Sequence, residues 1–338
     1  MSPDIPAAVP ERTGRLLHTG QAVVDVVLRI PSVPEPGGDV FASSHDLAAG
    51  GGVNTMTAAA RDGARVVHLG SHGTGPFGDL VRSALSAEGI EVLAAPTPDR
   101  DTGFSVALVD DSTERTFVST SGAEARAPLP QLLAGAPVAG DVVCVSGYSL
   151  VHPVNREALR EWLPTLGAEV QVVVDPSPMI GELDLSDVRA LLARADVWST
   201  NEREARLLTA RLAAADGPAG AEEHSDADLE TLAARLCTLA GTVVVLRAGA
   251  HGVVLARPGR DVLPLPAPTV TAVDTNGAGD AHTGVLCARL AAGEELEPAL
   301  RRAGVAAAIA VTRHGPATAP TAAETDHMLD ELYNRSSS

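Results

Sequence analysis

Three short runs, VVCV at 142–145, VVV at 172–174 and VVVL at 243–246, carry no polar residue at alternate positions. A strand with one wetted face alternates apolar and polar residues. A strand that does not alternate must be covered on both faces, as in parallel sheets sandwiched between helices. Around these runs stand helical patterns: REALREWLPTLG, VRALLARA, EREARLLTARL and TLAARLCTLAG. The rhythm predicts an α/β fold, a doubly wound and mostly parallel sheet with helices on both faces.

The N-terminal half adds a second texture. LLHTGQAVVDVVLRI reads as a strand, a glycine turn and a second extended run, and TGFSVALVDDSTERTFVST reads as two alternating strands around a short turn. Such antiparallel segments, near 24–46 and 102–121, do not join a parallel sheet easily and are expected to form a small appended β-sheet, a candidate lid. One domain over about 15–325 is expected, with 1–14 and 334–338 as loose tails and the acidic stretch AADGPAGAEEHSDAD as an exposed loop.

The charge balance excludes several functions. With 43 acidic against 25 basic residues the net charge is −18, which argues against a partner made of nucleic acid or anionic membrane. The sequence contains no lysine, so a GxxxxGK[ST] phosphate loop and a Schiff-base lysine are both impossible. Cys144, Cys237 and Cys287 form no CxxC and lie in apolar stretches, as buried reduced thiols do. The N-terminus lacks the apolar core of a signal peptide, so a cytoplasmic location is expected.

The chemistry concentrates in DTNGAGDAHTG, residues 274–284, after the β-leaning PTVTAV and before a helical pattern. Gly277, Ala278 and Gly279 let backbone N–H groups approach a phosphate at a helix start. An aspartate there, Asp280, repels an anion unless its task is to take a proton beside one. The bland alternative is a helix-capping Asp in a glycine turn. In TNEREA, Asn201 and Glu204 stand one helical turn apart, where a capping box alone would also place them.

DTNGAGDAHTG resembles the C-terminal signature of the PfkB, or ribokinase-like, carbohydrate kinases, with His282 where Phe is usual. AGGGVNTMTAAARDGA (49–64), TNEREA (200–205) and AAAIAVTRHG (306–315) are similar to three further elements of that family in the same order. The resemblance implies an ATP-dependent kinase acting on an alcohol of a sugar-like substrate. Asp280 would be the catalytic base, and Gly277, Ala278 and Gly279 the anion hole. Asp25, Gly50, Gly51 and Asn54 would bind substrate hydroxyls, with Asp39 at the lid edge. Asn201 and Glu204 would organise Mg2+ and phosphate, Glu204 through water. VVVLRAGAHGVVL (243–255) resembles the adenine-pocket turn, with Gly249 and Gly252 in it. Arg247 stands there where Thr or Lys is frequent, and Gly304 replaces an Asn near the adenine. A monovalent cation, K+, is implied at Asp274, Asn276, Ala310, Arg313 and Gly315. A homodimer through the lid is left open.

Phe41, Phe104 and Phe117 near the lid keep a nucleoside kinase open, and Arg29, Arg100 and Arg115 keep a phosphorylated sugar open. A non-catalytic sensor and a nicotinamide enzyme are the other classes. Against the latter, GTGPFG (73–78) satisfies GxGxxG but not after the first strand, and the following strand IEVLAAP ends without an acidic residue.

Overall fold

The computed structural model describes residues 14–112, 115–216, 227–315 and 317–335. Most of the two expected tails, and residues 217–226 of the acidic stretch, lie outside the described residues.

In chain order β1 (Arg15–His18), β2 (Ala22–Arg29) and β3 (Ser44–Gly51) lead into α1 (Gly52–Arg61), β4 (Arg65–His68), α2 (Pro76–Ala87) and β5 (Glu91–Val92). Next come β6 (Phe104–Val109), β7 (Arg115–Ser119), α3 (Leu129–Ala134), β8 (Val142–Ser146), α4 (Pro153–Trp162) and β9 (Gln171–Asp175). They are followed by α5 (Leu185–Leu192), β10 (Val197–Asn201), α6 (Glu202–Asp216), α7 (Leu229–Ala240) and β11 (Val243–Arg247). The chain continues through β12 (Val253–Ala256), β13 (Leu263–Leu265), α8 (Ala278–Ala291), α9 (Leu296–Ala310) and α10 (Ala322–Arg335). The last helix therefore runs two residues into NRSSS.

One sheet has nine strands in the order β13-β12-β11-β10-β9-β8-β1-β4-β5, parallel from β11 to β5 and closed at the other edge by the antiparallel β12 and β13. The unbroken apolar runs are its centre. Alternate residues of one strand point to opposite faces. Leu16, Val142, Cys144, Val173 and Val245 accordingly join a core with α1, α8 and α9, while Leu17, Val143, Val145, Val172, Val174 and Val244 join a second core with α4 to α7. Each fully buried Val or Leu contributes about 1.5–3 kcal/mol. Cys144, Cys237 and Cys287 are buried free thiols within these cores.

The small sheet has the order β3-β2-β6-β7. It is not wholly antiparallel as the sequence suggested: β2 and β6 run parallel, and only the outer pairs are antiparallel. A second difference concerns PTVTAV. Residues 268–273 form no strand. The N–H groups of Val273 and Asp274 donate instead to the carbonyl of Val311, just past α9. Extended β-branched residues become a strand only where another strand edge is free to receive them, and here a helix end takes their hydrogen bonds.

The chain runs from β1 outward to β4 and β5, then returns to β8 and builds the other half. The turnover between β1 and β8 is a topological switch point, where ligands bind at the carboxyl ends of strands.

Candidate active site

The carboxyl edge of the large sheet gathers Asp175 at the end of β9, Asn201 at the end of β10 and Arg247 at the end of β11. Above it the start of α8 presents Asp280. The helix is capped by Gly277, whose φ of 75° is left-handed and natural only to glycine, with no side chain serving as cap. Asp280 therefore does not cap its own helix. It accepts hydrogen bonds from Thr55 Oγ1 (2.9 Å) and Asn54 Nδ2 (3.4 Å), both on α1. That reach depends on close helix packing: a Cβ at Gly284 would stand 2.2 Å from the Thr55 carbonyl oxygen. Burial, and then the Asp175 carboxylate, push Asp280 up to about 6, against the Thr55 and Asn54 hydrogen bonds and the Arg247 charge.

Asp25 comes to the same place from the small sheet. Its carboxylate rests on Gly50, where a Cβ would lie 1.9 Å from Oδ2. Burial, and then Asp280, raise it to about 6. Among the described residues Asp25 accepts no hydrogen bond, and the buried Oδ1 of Asn54 is also without a partner. An unsatisfied buried polar atom such as Asn54 Oδ1 is costly in a resting protein, and a donor brought by a ligand would satisfy it. Gly51 follows on the β3–α1 junction. Asp39 lies in the exposed loop between β2 and β3, and no hydrogen bond or ion pair joins it to the cluster.

Asn201 and Glu204 form a reciprocal capping box. Glu204 N donates to Asn201 Oδ1 (2.9 Å), Asn201 N donates to Glu204 Oε2 (3.0 Å), and Thr200 Oγ1 adds a third bond at 3.2 Å. Burial, and then Asp175, raise the Glu204 carboxyl. Next to this box a cavity of about 640 Å3 is lined by Asn201, Arg206, Leu207, Arg247, Ala248 and Gly249. Gly252 serves its own turn: a Cβ there would strike the Leu265 carbonyl at 2.2 Å. At Gly304, in α9, a Cβ would meet nothing within 4 Å.

The segments expected to hold a monovalent cation are adjacent. Asp274 accepts from Asn276 N (2.9 Å) and Gly315 N (3.3 Å). The Ala310 carbonyl accepts from Arg313 N and Thr318 Oγ1, and the Arg313 guanidinium pairs with Glu324. The GTGPFG segment is not an anion site. Asp101 already accepts from Phe77 N (3.1 Å) and Gly78 N (2.8 Å), so the chain's own carboxylate fills that helix start.

Several site residues escaped the sequence. Asp175 closes the run VVVDPSP, and Arg247 Nη1 donates to it at 2.9 Å. Thr55, Ser199 and Thr283 are ordinary residues until the fold brings them to Asp280 and Arg247. Tyr148, partly exposed just past β8, has its phenol raised by partial burial and then by Glu204, Asp175, Asp280 and Asp25. An Asp ending a buried strand run was the one available signal among these.

A model of the pfkB family carbohydrate kinases matches residues 15–323. The uncharacterized sugar kinase YegV of Escherichia coli K12 is 28% identical over 319 residues, covering 94% of this chain and 95% of its own. The ribokinase of Haemophilus influenzae is 29% identical over 316 residues, covering 92% and 97%. The solved ribokinase of Cryptococcus neoformans in complex with ADP superposes with a TM-score of 0.76 at 24% identity, covering 93% and 99%, a likeness of fold.

Proposed function

The chain belongs to the pfkB family of carbohydrate kinases, and from that premise we propose that it transfers the terminal phosphoryl group of ATP to a hydroxymethyl group of a small sugar, with Asp280 as base. The observation that carries this reading is a largely buried carboxylate with a pKa of about 6, held by Thr55 in the first turn of a helix. A base poised near neutrality accepts a proton and still returns it. Asp280 takes the proton of the acceptor hydroxyl while its oxygen bonds to the γ-phosphorus. The bond from that phosphorus to the β–γ bridging oxygen breaks, and ADP leaves. The N–H groups of Gly277, Ala278 and Gly279 at the helix start, of which Ala278 N also donates to the Thr275 carbonyl at 3.4 Å, would receive the developing charge with little reorganisation.

Asp25 and Asn54, with Gly50 and Gly51, would hold the acceptor's hydroxyls. Asn201, Gly249 and Gly304 would receive the nucleotide, and Arg247 a phosphate. The residues present fit Mg2+. Glu204 is raised by burial and by Asp175, a repulsion that a cation held by Glu204 would relieve. Among the described residues no group of three or more His, Cys, Asp or Glu suits a metal, so the phosphates would supply most of its ligands. The ion would supply neutralisation of the phosphate charge. K+ would lie where Asp274 ties the Asn276 and Gly315 segments together.

The small sheet supports two further readings by its register. Ala48, Asp25, Ser105 and Ser119 share the face turned to Asp280, and Phe117, two residues before Ser119, lies on that face and is 59% exposed. A ring free to stack keeps a nucleoside acceptor as the second reading. Phe104 is not free, since it packs on Phe77 with ring centroids 5.0 Å apart. The opposite face carries the row Leu47, Val26, Val106 and Val118 across all four strands. A second copy covering that row would make a homodimer, and a monomer in sedimentation at micromolar concentration would exclude it.

ADP release with Mg2+ and ATP, with and without K+, over neutral sugars, sugar phosphates, sugar acids and nucleosides tests the reading; ribose is the first acceptor to try. Acceptor-dependent turnover is expected, and Asp280→Asn should lower kcat by about 10²–10⁴ with folding intact. A folded Asp280→Asn protein turning over like wild type would sink the assignment.

A further inference from the structure

Arg247 is held by one nitrogen only. Its Nη1 lies 2.9 Å from Asp175 Oδ2, 2.6 Å from Thr283 Oγ1, 3.2 Å from Ser199 Oγ and 3.5 Å from the Gly279 carbonyl oxygen. Among the described residues Nε and Nη2 have no acceptor. That unpaired edge runs along Gly279: a Cβ placed there would meet Nη2 at 3.7 Å and Nε at 3.9 Å, ordinary contact distances. The guanidinium thus has an anchored corner facing β9 and β10, and an open edge beside the helix start that carries Asp280.

We propose that Asp175 is a positioning residue for phosphoryl transfer, holding Nη1 of Arg247 so that the Nε–Nη2 edge faces the oxygens of the transferring phosphoryl group beside Gly277–Gly279. The inference rests on the kinase reading above and adds a role within it. Guanidinium binds oxyanions through two parallel N–H groups in a fixed plane, and a plane needs a second point to fix its direction. Asp175 is that point, reinforced by Thr283 and Ser199. A lysine has one nitrogen: it would reach either Asp175 or the phosphoryl oxygens, not both in this geometry. Donors fixed before the reaction cost no reorganisation when charge develops.

The competing explanation is that the Arg247–Asp175 pair merely staples β11 to β9, two strands separated by β10. The two differ in what they predict for ligands with and without a third phosphate. In Asp175→Asn, calorimetry without acceptor should show affinity for ADP kept within about twofold, while affinity for a non-hydrolysable ATP analogue falls about tenfold, the loss of roughly one charge-assisted hydrogen bond. kcat should fall about 10–100-fold with the acceptor KM unchanged, the mark of an interaction made in the transition state. Arg247→Lys should show the same pair of deficits. If Asp175→Asn does not fold, Thr283→Val removes another acceptor of the same Nη1 and should reproduce the discrimination in weaker form. Unchanged affinity ratio and kcat in the variants would overturn the proposal. So would parallel loss of ADP, analogue and acceptor binding with a lower Tm, which marks a staple. A wild-type protein that bound no nucleotide would instead remove the kinase reading, and this proposal with it.

Discussion

At the amino-terminal edge of the nine-stranded sheet, Asp141 precedes β8 and is 1% exposed. It accepts from Arg15 N (2.8 Å), Arg15 Nη2 (2.7 Å) and Val138 N (3.0 Å). Burial pushes its carboxyl up, yet those bonds outweigh burial and hold it below its ordinary value. Asp196, ahead of β10, is likewise bound by Val172 N and Arg194. At the carboxyl edge, Asp25 has no donor, Asp280 has two from side chains, and both rise to about 6. Around the carboxyl edge Asp175 and Glu204 are bonded, so the contrast lies between the fully bonded Asp141 and the under-bonded pair Asp25 and Asp280, which the small sheet and α8 bring over that edge. A fully bonded carboxylate has no lone pair to spare for a substrate proton, so Asp141 suits folding, and Asp25 and Asp280 have the free capacity that the proposed chemistry needs.

Removing Asp141 should produce the larger effect on stability. Asp141→Ala removes the carboxylate paired with Arg15, whose Nη2 keeps the Gly135 and Ala136 carbonyls, and leaves two backbone N–H groups without their acceptor. It should lower unfolding free energy by about 2–4 kcal/mol. Denaturant titration reads that loss, while kcat measured on the folded fraction should equal wild type, since the residue sits at the far edge of the sheet. A wild-type melting curve for Asp141→Ala, or a kcat loss as deep as its stability loss, would break the division between Asp141 and that pair.

The large sheet and the helix start carrying Asp280 were legible because they rest on local pattern, whereas Asp141 gave no signal. The unbroken valine runs required a sheet covered on both faces, and the small residues ahead of Asp280 marked a helix start. What stayed hidden depends on which elements become neighbours. Thr55 is one more residue of an alanine-rich helix until Gly284 lets α8 approach α1. Asp175 and Arg247 lie 72 residues apart, and their pairing across β10 follows from strand order. PTVTAV has the composition of a strand and lacks a free strand edge to pair with. The TNEREA segment forms the capping box that stability alone would choose, and the proposed phosphate role uses the same two residues, so sequence had no means to separate the readings.

The smaller test is a gain in stability. Asp280 has a folded pKa of about 6 against 3.8 for an ordinary aspartate. A carboxyl raised in this way favours the folded state while it is protonated. Its contribution is full below about pH 4 and is lost as pH rises through 6, after which the ionised group costs the folded state free energy. Asparagine has no charge to bury, so Asp280→Asn should be more stable than wild type at pH 7–8 by about 1–3 kcal/mol. The difference should shrink as pH falls through 6 and vanish near 4. Asp141→Asn should do the reverse at neutral pH, because its carboxylate is better bound folded than unfolded. Equal stability of Asp280→Asn and wild type at every pH would mean that Asp280 carries no such cost, and the contrast with Asp141 would then rest on hydrogen-bond counts alone.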